Sequence, residues 1–330
     1  MTSRERVHKT LNFESVDRVP RDLWTLPFLK ADITTLTDKY PMDLGSPDVK
    51  YGESKRAKGV PYAKGIYVDA WGSEWHAYEH GVTGEVRNAP IFDWCGLDSY
   101  MPPFELLDNA DFSMVNESCA KSDLFIKAGT ETRPYERLQF LRGTENLLMD
   151  LAYGDARIFK LIEMIHDFSI REMEMWAKTD VDAIMFMDDW GSQNSLLISP
   201  AMWREIFKPL YTDYCNIIKG SGKKVFFHSD GNISSIYPDL IEIGIDAVNS
   251  QLFCMDIEDL ANKYNGKITF WGEIDRQTII PFGTEDDTRN AVRRVRNAMD
   301  KNAGGVIAQC EWGHDAKPEN ILALYDEWSK

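Results

Sequence analysis

From about residue 121 the chain alternates short apolar runs with longer stretches whose apolar residues recur at helical spacing. "SDLFIKAGT" (122–130), "VDAIMFMDDWG" (181–191), "KKVFFHSDG" (223–231), "DAVNSQ" (246–251), "KITFWGEID" (267–275) and "GGVIAQCEWG" (304–313) read as strands. Between them the spacing predicts helices over 155–178, 199–220, 256–264, 284–301 and 318–328. Ser199 suits an N-cap, Pro200 the first turn and Gly220 a C-terminal stop. The helix over 284–301 carries acids early and bases late, which complements its dipole. Repeated β-α units with apolar strands predict a parallel sheet. The length, and a pattern that runs to the C-terminus, favour a closed (β/α)8 TIM barrel over an open sheet. Residues 1–120 are punctuated by proline and read as an irregular N-terminal part, with short strands and turns over 58–90. No low-complexity linker divides them from the rest, so one domain over 1–330 is expected.

The strand ends carry the candidate chemistry, because a parallel barrel builds its active site at the C-terminal ends of its strands. In order they are Asp188-Asp189-Trp190, His228 with Asp230, Asn249 with Gln251, Glu273 with Asp275, and Cys310 with Glu311. His, Cys and carboxylates are zinc-binding side chains, and a catalytic zinc takes three protein ligands. His228, Glu273 and Cys310 make such a set, with Asp230 as a fourth ligand or a general acid/base. Asp188 and Asp189 are adjacent, so on a strand they face opposite sides. One then points to the mouth and the other caps backbone or pairs with an arginine. Trp75, Tyr78 and Trp190, with Asn249 and Gln251, are candidates to line a pocket for a flat substrate. Each residue also has a plainer reading. Asp230-Gly231-Asn232 reads as a turn, Cys310 as a small buried hydrophobe and His228 as a core histidine. Those readings must account for three separate strand ends at once.

Bulk properties narrow the class. The chain has 330 residues, 43% of them hydrophobic, and a formal net charge of −16. No basic footprint for nucleic acid or an anionic membrane is visible. No apolar run approaches the length of a transmembrane helix, and the start, "MTSRERVHKTLNFE", has no signal-peptide core. A cytoplasmic enzyme is expected. Five scattered cysteines with no CxxC pair argue against a disulfide framework.

Several segments together resemble the uroporphyrinogen decarboxylase superfamily: "MTSRERVHKTLNFESVDRVP", "DDWGSQNSLLISPAMWREIFKPLY", "KVFFHSDGNI", "ITFWGEIDRQTIIPFGT" and "GGVIAQCEWG". The resemblance runs over essentially the whole chain and implies a (β/α)8 barrel. True decarboxylases of this superfamily carry an Arg-Gln-Ala-Gly-Arg type segment after the "DRVP" equivalent. Here that region reads "DRVPRDLWTLPFLKAD". The other branch comprises cobalamin-dependent methyltransferases, whose thiol-methylating members bind zinc through His-x-Cys and a later Cys. His228 matches the first ligand, Cys310 the last, and Asp230 stands at the middle position. A carboxylate in place of a thiolate leaves the metal a stronger Lewis acid. The resemblance therefore implies an O-demethylase component that moves methyl from a methoxylated aromatic compound to Co(I) of a partner corrinoid protein. In that reading zinc is held by His228, Glu273 and Cys310, and Asp230 or one of Asp188 and Asp189 assists the leaving phenolate. The alternatives are methylcorrinoid-dependent methylation of a thiol or pterin, decarboxylation, and a non-catalytic binding module.

Overall fold

A computed structural model describes residues 1–301 and 303–330. Its strands are β1 (Arg21–Thr25), β2 (Leu44–Gly45), β3 (Gly65–Val68), β4 (Glu74–Ala77), β5 (Glu85–Asn88), β6 (Phe125–Gly129), β7 (Ala183–Met187), β8 (Lys224–Ser229), β9 (Ala247–Ser250), β10 (Thr269–Trp271) and β11 (Val306–Trp312). Eight of them form one sheet in the order β1-β11-β10-β9-β8-β7-β6-β2, and every adjacent pair is parallel. With helices around it, this is the (β/α)8 barrel that the alternation predicts. Strands β3 to β5 form a separate antiparallel sheet within the 58–90 region.

The expectation for residues 1–120 needs one correction, since two of the eight barrel strands lie there. Neither has an apolar run to announce it. β2 is two residues long, and β1 reads "RDLWT", with Asp22 and Trp24 facing inward. The edges β1 and β2 meet through Asp43. Its amide donates to the Arg21 carbonyl at 2.8 Å, and its carboxylate accepts from the Arg21 amide at 2.8 Å. The same fully buried carboxylate takes Arg6 and Arg18, each at 2.6 Å. Removing one partner of such a buried network leaves uncompensated charge. Asp43→Ala is expected to lower unfolding stability by about 3–5 kcal/mol, read from the urea midpoint.

The barrel interior is an apolar layer of Leu44, Phe125, Met185, Phe226, Trp271 and Ile307. The helix Ser3–Leu11, closed by a Thr2/Glu5 capping box, inserts Val7 and Leu11 into it from the N-terminal end of the strands. One end is thus plugged, and the mouth is the end that carries the polar strand termini. A larger apolar cluster fills the space between strands and surrounding helices. Alternation along each strand sorts side chains between these layers. On β8, Val225 and Phe227 pack outward, while Phe226 and His228 face in. Among the described residues no helix is long and apolar enough to cross a membrane.

Two glycines fix the loops that follow β7 and β8. Gly231 has φ of +74°, and a Cβ there would sit 2.2 Å from the Gly191 carbonyl oxygen. A Cβ on Gly191 would meet the Asn232 amide nitrogen at 2.4 Å. Only two residues without side chains allow this backbone approach. Gly191 N donates to Asp230 O at 3.1 Å, and Asn232 N to Ser192 O at 2.8 Å.

Candidate metal centre at the barrel mouth

β7 ends in two acids that take different roles. Asp188 turns outward and is fully buried. It accepts from the Tyr135 and Glu136 amides, each at 2.7 Å, and from the Tyr211 hydroxyl at 2.6 Å. It therefore caps the first turn of the helix Pro134–Arg142. Burial pushes its carboxyl up to about 7, against the lowering by those three donors. Asp189 turns inward. Its Oδ1 accepts from the Asp230 amide at 3.0 Å and lies 3.5 Å from His228 Nε2.

His228 ends β8 with its ring held from behind. Asn249 donates through Nδ2 to the Trp271 carbonyl and, at 3.0 Å, to Gln309 Oε1. That pins the Asn249 amide so that its Oδ1 faces His228 Nδ1 at 2.6 Å. Nδ1 therefore carries a proton, and Nε2 faces the mouth. There it faces two carboxylate oxygens, Asp189 Oδ1 and, at 3.6 Å, Asp230 Oδ1. The latter is buried and has no hydrogen-bond partner. Such a grouping is held together by a positive centre among its members, either a proton on Nε2 or a metal ion. Asp189, His228 and Asp230 each offer one donor atom, all within 4.8 Å of one another. One imidazole and two carboxylates suit zinc or another borderline-to-hard divalent ion. The donor set thus fits the metal that the sequence suggests, through ligands only partly those expected. Hydrogen bonds of this kind behind a metal-binding histidine typically matter 10- to 100-fold to affinity. Asn249→Leu is expected to weaken zinc binding by about 10- to 100-fold, measured by chelator competition.

Arg276, in the turn after β10, was not singled out from the sequence. It contacts Asp230 and Glu311 through its two terminal nitrogens, and its Nε lies 3.3 Å from Glu273 Oε2. A signal for it existed, since three inward carboxylates require a counter-charge. Glu273 is buried, its Oε1 has no partner, and burial raises its carboxyl to about 8. With Gln251, Cys254 and Arg276 it lines a cavity beside Asp230. Asp230 is also raised, by burial first, with His228 and Arg276 pulling the other way. Gly272, which leads into Glu273, has φ of +69° and no room for a side chain against Gln309.

A carboxyl raised by folding holds its proton in the native state at pH values where the unfolded chain has lost it. Stability then falls as pH rises from about 4.5 toward 8. Glu273→Gln is expected to flatten this fall in the metal-free protein, measured as denaturant midpoints between pH 5 and 8.

The remaining predicted residues are placed as follows. Cys310 joins Ala308 and Trp312 in the apolar cluster outside the barrel, while Glu311 beside it faces the mouth. Burial raises the Cys310 thiol, so it is held as a thiol. The structure does not bring it to the donor cluster. Gln251 accepts from the Gly231 amide at 3.0 Å, and Asn249 orients His228, so both support the loops and the ring. Trp190 is fully buried, donates to the Tyr211 hydroxyl at 2.8 Å and stacks on Tyr135. Trp75 is buried in the antiparallel sheet against Phe140, and Tyr78 is exposed there beside Arg87. None of these three aromatics joins the cluster. The aromatic ring that does is Trp24, whose centroid lies 5.2 Å from that of His228. β1 itself went unread, so its inward tryptophan did too.

The fold and mouth define a class: parallel eight-stranded barrels whose strand ends gather an imidazole and several carboxylates. The chain belongs to the uroporphyrinogen decarboxylase family, whose model matches residues 134–330, more than half of its length. No curated protein matches it at a significant level. Among solved structures it is similar to a methyltransferase from Methanosarcina mazei, with 16% identity and a TM-score of 0.68 over 100% of this chain and 98% of that one. A GH113 beta-1,4-mannanase is similar at a TM-score of 0.42 and 8% identity, over 96% of this chain and 100% of that one.

Proposed function

We propose that the protein is a metal-dependent methyltransferase that demethylates a methoxylated aromatic compound and delivers the methyl group to the cobalt of a partner corrinoid protein. The observation that carries this reading is the donor set of the mouth: Asp189, His228 and Asp230, nitrogen and oxygen without a thiolate. Thiolate ligands make zinc electron-rich, which serves to activate a thiol acceptor. Imidazole and carboxylate ligands leave it more electrophilic. Held by these three residues, zinc would supply Lewis acidity at an ether oxygen and so ease departure of a phenolate. Asn249 keeps the His228 ring in the ligating tautomer. Glu273 holds a proton at neutral pH and lines the adjoining cavity, so it is the acid available to the departing oxygen. Arg276 offsets the charge of Asp230 and Glu311. Trp24 offers a flat surface beside His228 for an aromatic ring. The family membership and the likeness to a methyltransferase support the reading. Decarboxylation of a polycarboxylate fits the mouth poorly, because Arg276 is already engaged by the Asp230 and Glu311 carboxylates.

The test is methyl transfer to a reduced corrinoid protein from a panel of methoxylated aromatic compounds, scored as methylcobamide formation. Turnover that depends on both metal and corrinoid protein is expected. No turnover on any donor by zinc-loaded protein would rule the proposal out.

A further inference from the structure

Lys127 lies on the inward face of β6, one pleat beyond Phe125, and is 8% exposed. Its ammonium sits 4.8 Å from the ring centre of Trp271 and 5.7 Å from that of Trp24. Its one hydrogen-bond partner is the Met185 sulfur at 3.3 Å, and among the described residues it forms no ion pair. Three of the four buried arginines, Arg6, Arg137 and Arg142, sit against a carboxylate, and the fourth, Arg21, donates to the Ser329 hydroxyl. Asp22 is the nearby acid. Its oxygens accept from the Trp271 indole N–H at 2.9 Å and the Leu23 amide at 3.1 Å, and its charge favours the ammonium from beyond ion-pair distance.

Burying an ammonium without an oxygen acceptor is costly, and a thioether is a weak acceptor. The two indole faces offset part of that cost by cation–π attraction. They leave the ammonium's hydrogen-bonding capacity largely unused. Trp24 is only partly buried and touches the His228 ring, so the Lys127 site adjoins the donor cluster. Of the other inward acids of the mouth, Asp230 and Glu311 contact Arg276, while Asp189 faces His228.

We propose that Lys127, framed by Trp24 and Trp271, is a recognition point for one carboxylate of the methyl donor, so that the donors are aromatic methyl ethers bearing a single acid group. The name methyl donor rests on the function proposed above; the anion site does not. A carboxylate at Lys127 gains a charge-assisted hydrogen bond, and its ring lies along Trp24. The acidic remainder of the mouth repels a second carboxylate, which fixes the direction in which the substrate enters and leaves its ether toward Asp189, His228 and Asp230.

Tryptophan fluorescence titration of the zinc-loaded protein with 4-methoxybenzoate and 4-methoxybenzamide tests this without the corrinoid protein. The acid is expected to bind at least about 10-fold tighter than the amide, the preference of a charge-assisted over a neutral contact. Lys127→Met is expected to abolish that preference, leave amide binding unchanged and keep or raise the melting temperature. Lys127→Gln serves the same comparison if the methionine variant does not fold. Equal affinities in the wild type, no saturable binding of either compound, or a preference that survives in the variants would overturn the proposal. Acid preference without methyl transfer would leave the anion site standing and remove the proposed reaction.

Discussion

His228→Ala is expected to leave the mouth without bound zinc and to lower methyl transfer by about 10³-fold or more, whereas Cys310→Ala is expected to keep its zinc. The first half follows from the ring's position, with Nε2 3.5 and 3.6 Å from the two carboxylates that complete the donor set. The magnitude follows from the several kcal/mol that a Lewis acid contributes at a developing oxyanion. The second half follows from strand alternation. Cys310 packs outward with Ala308 and Trp312, and its thiol is not brought to the cluster. Zinc content by elemental analysis, beside turnover of both variants, decides the point. Zinc lost from Cys310→Ala and retained by His228→Ala would replace this ligand set with one containing the thiolate. Asp189→Asn and Asp230→Asn, each removing one anionic ligand, are expected to fall between the two.

Gly231→Ala is expected to destabilise the protein by about 3 kcal/mol or more and to lose stoichiometric zinc. Two penalties coincide at this position. A residue with a Cβ is strained at φ of +74°, a cost of order 1–3 kcal/mol. The added Cβ would also lie 2.2 Å from the Gly191 carbonyl oxygen, so one loop must move. Those two loops carry Asp189 and Asp230, and the Asp230 amide is bonded to Asp189. A shift of either separates two of the three donor residues. Urea midpoints and metal content measured on one preparation check both parts. A variant with wild-type stability and zinc content would show that the loops are not coupled in this way.

The sequence showed the alternation of β6 to β11 with their helices plainly, because each apolar run and each helical stripe is a local pattern of fixed period. The Ser199 cap was equally local, and it accepts from the Met202 amide. β1 and β2 were not legible. A two-residue strand has no period, and in "RDLWT" the inward positions hold an acid and a tryptophan. Of the candidate site, the strand ends that converge were readable once a barrel was assumed. The residues that complete it were not: Arg276 sits in a turn and Trp24 on a strand with no apolar run.

By itself, then, the amino-acid sequence determined the parallel barrel, its family resemblance and the placing of His228 and Asp230 together at the end of β8, because residues two apart in extended chain face alike. Only the tertiary structure decided between neighbours. Asp189 rather than Asp188, and Glu311 rather than Cys310, point into the mouth. Adjacent residues on a strand project to opposite sides, and which side is inside depends on the pairing register with the next strand and not on the residues themselves.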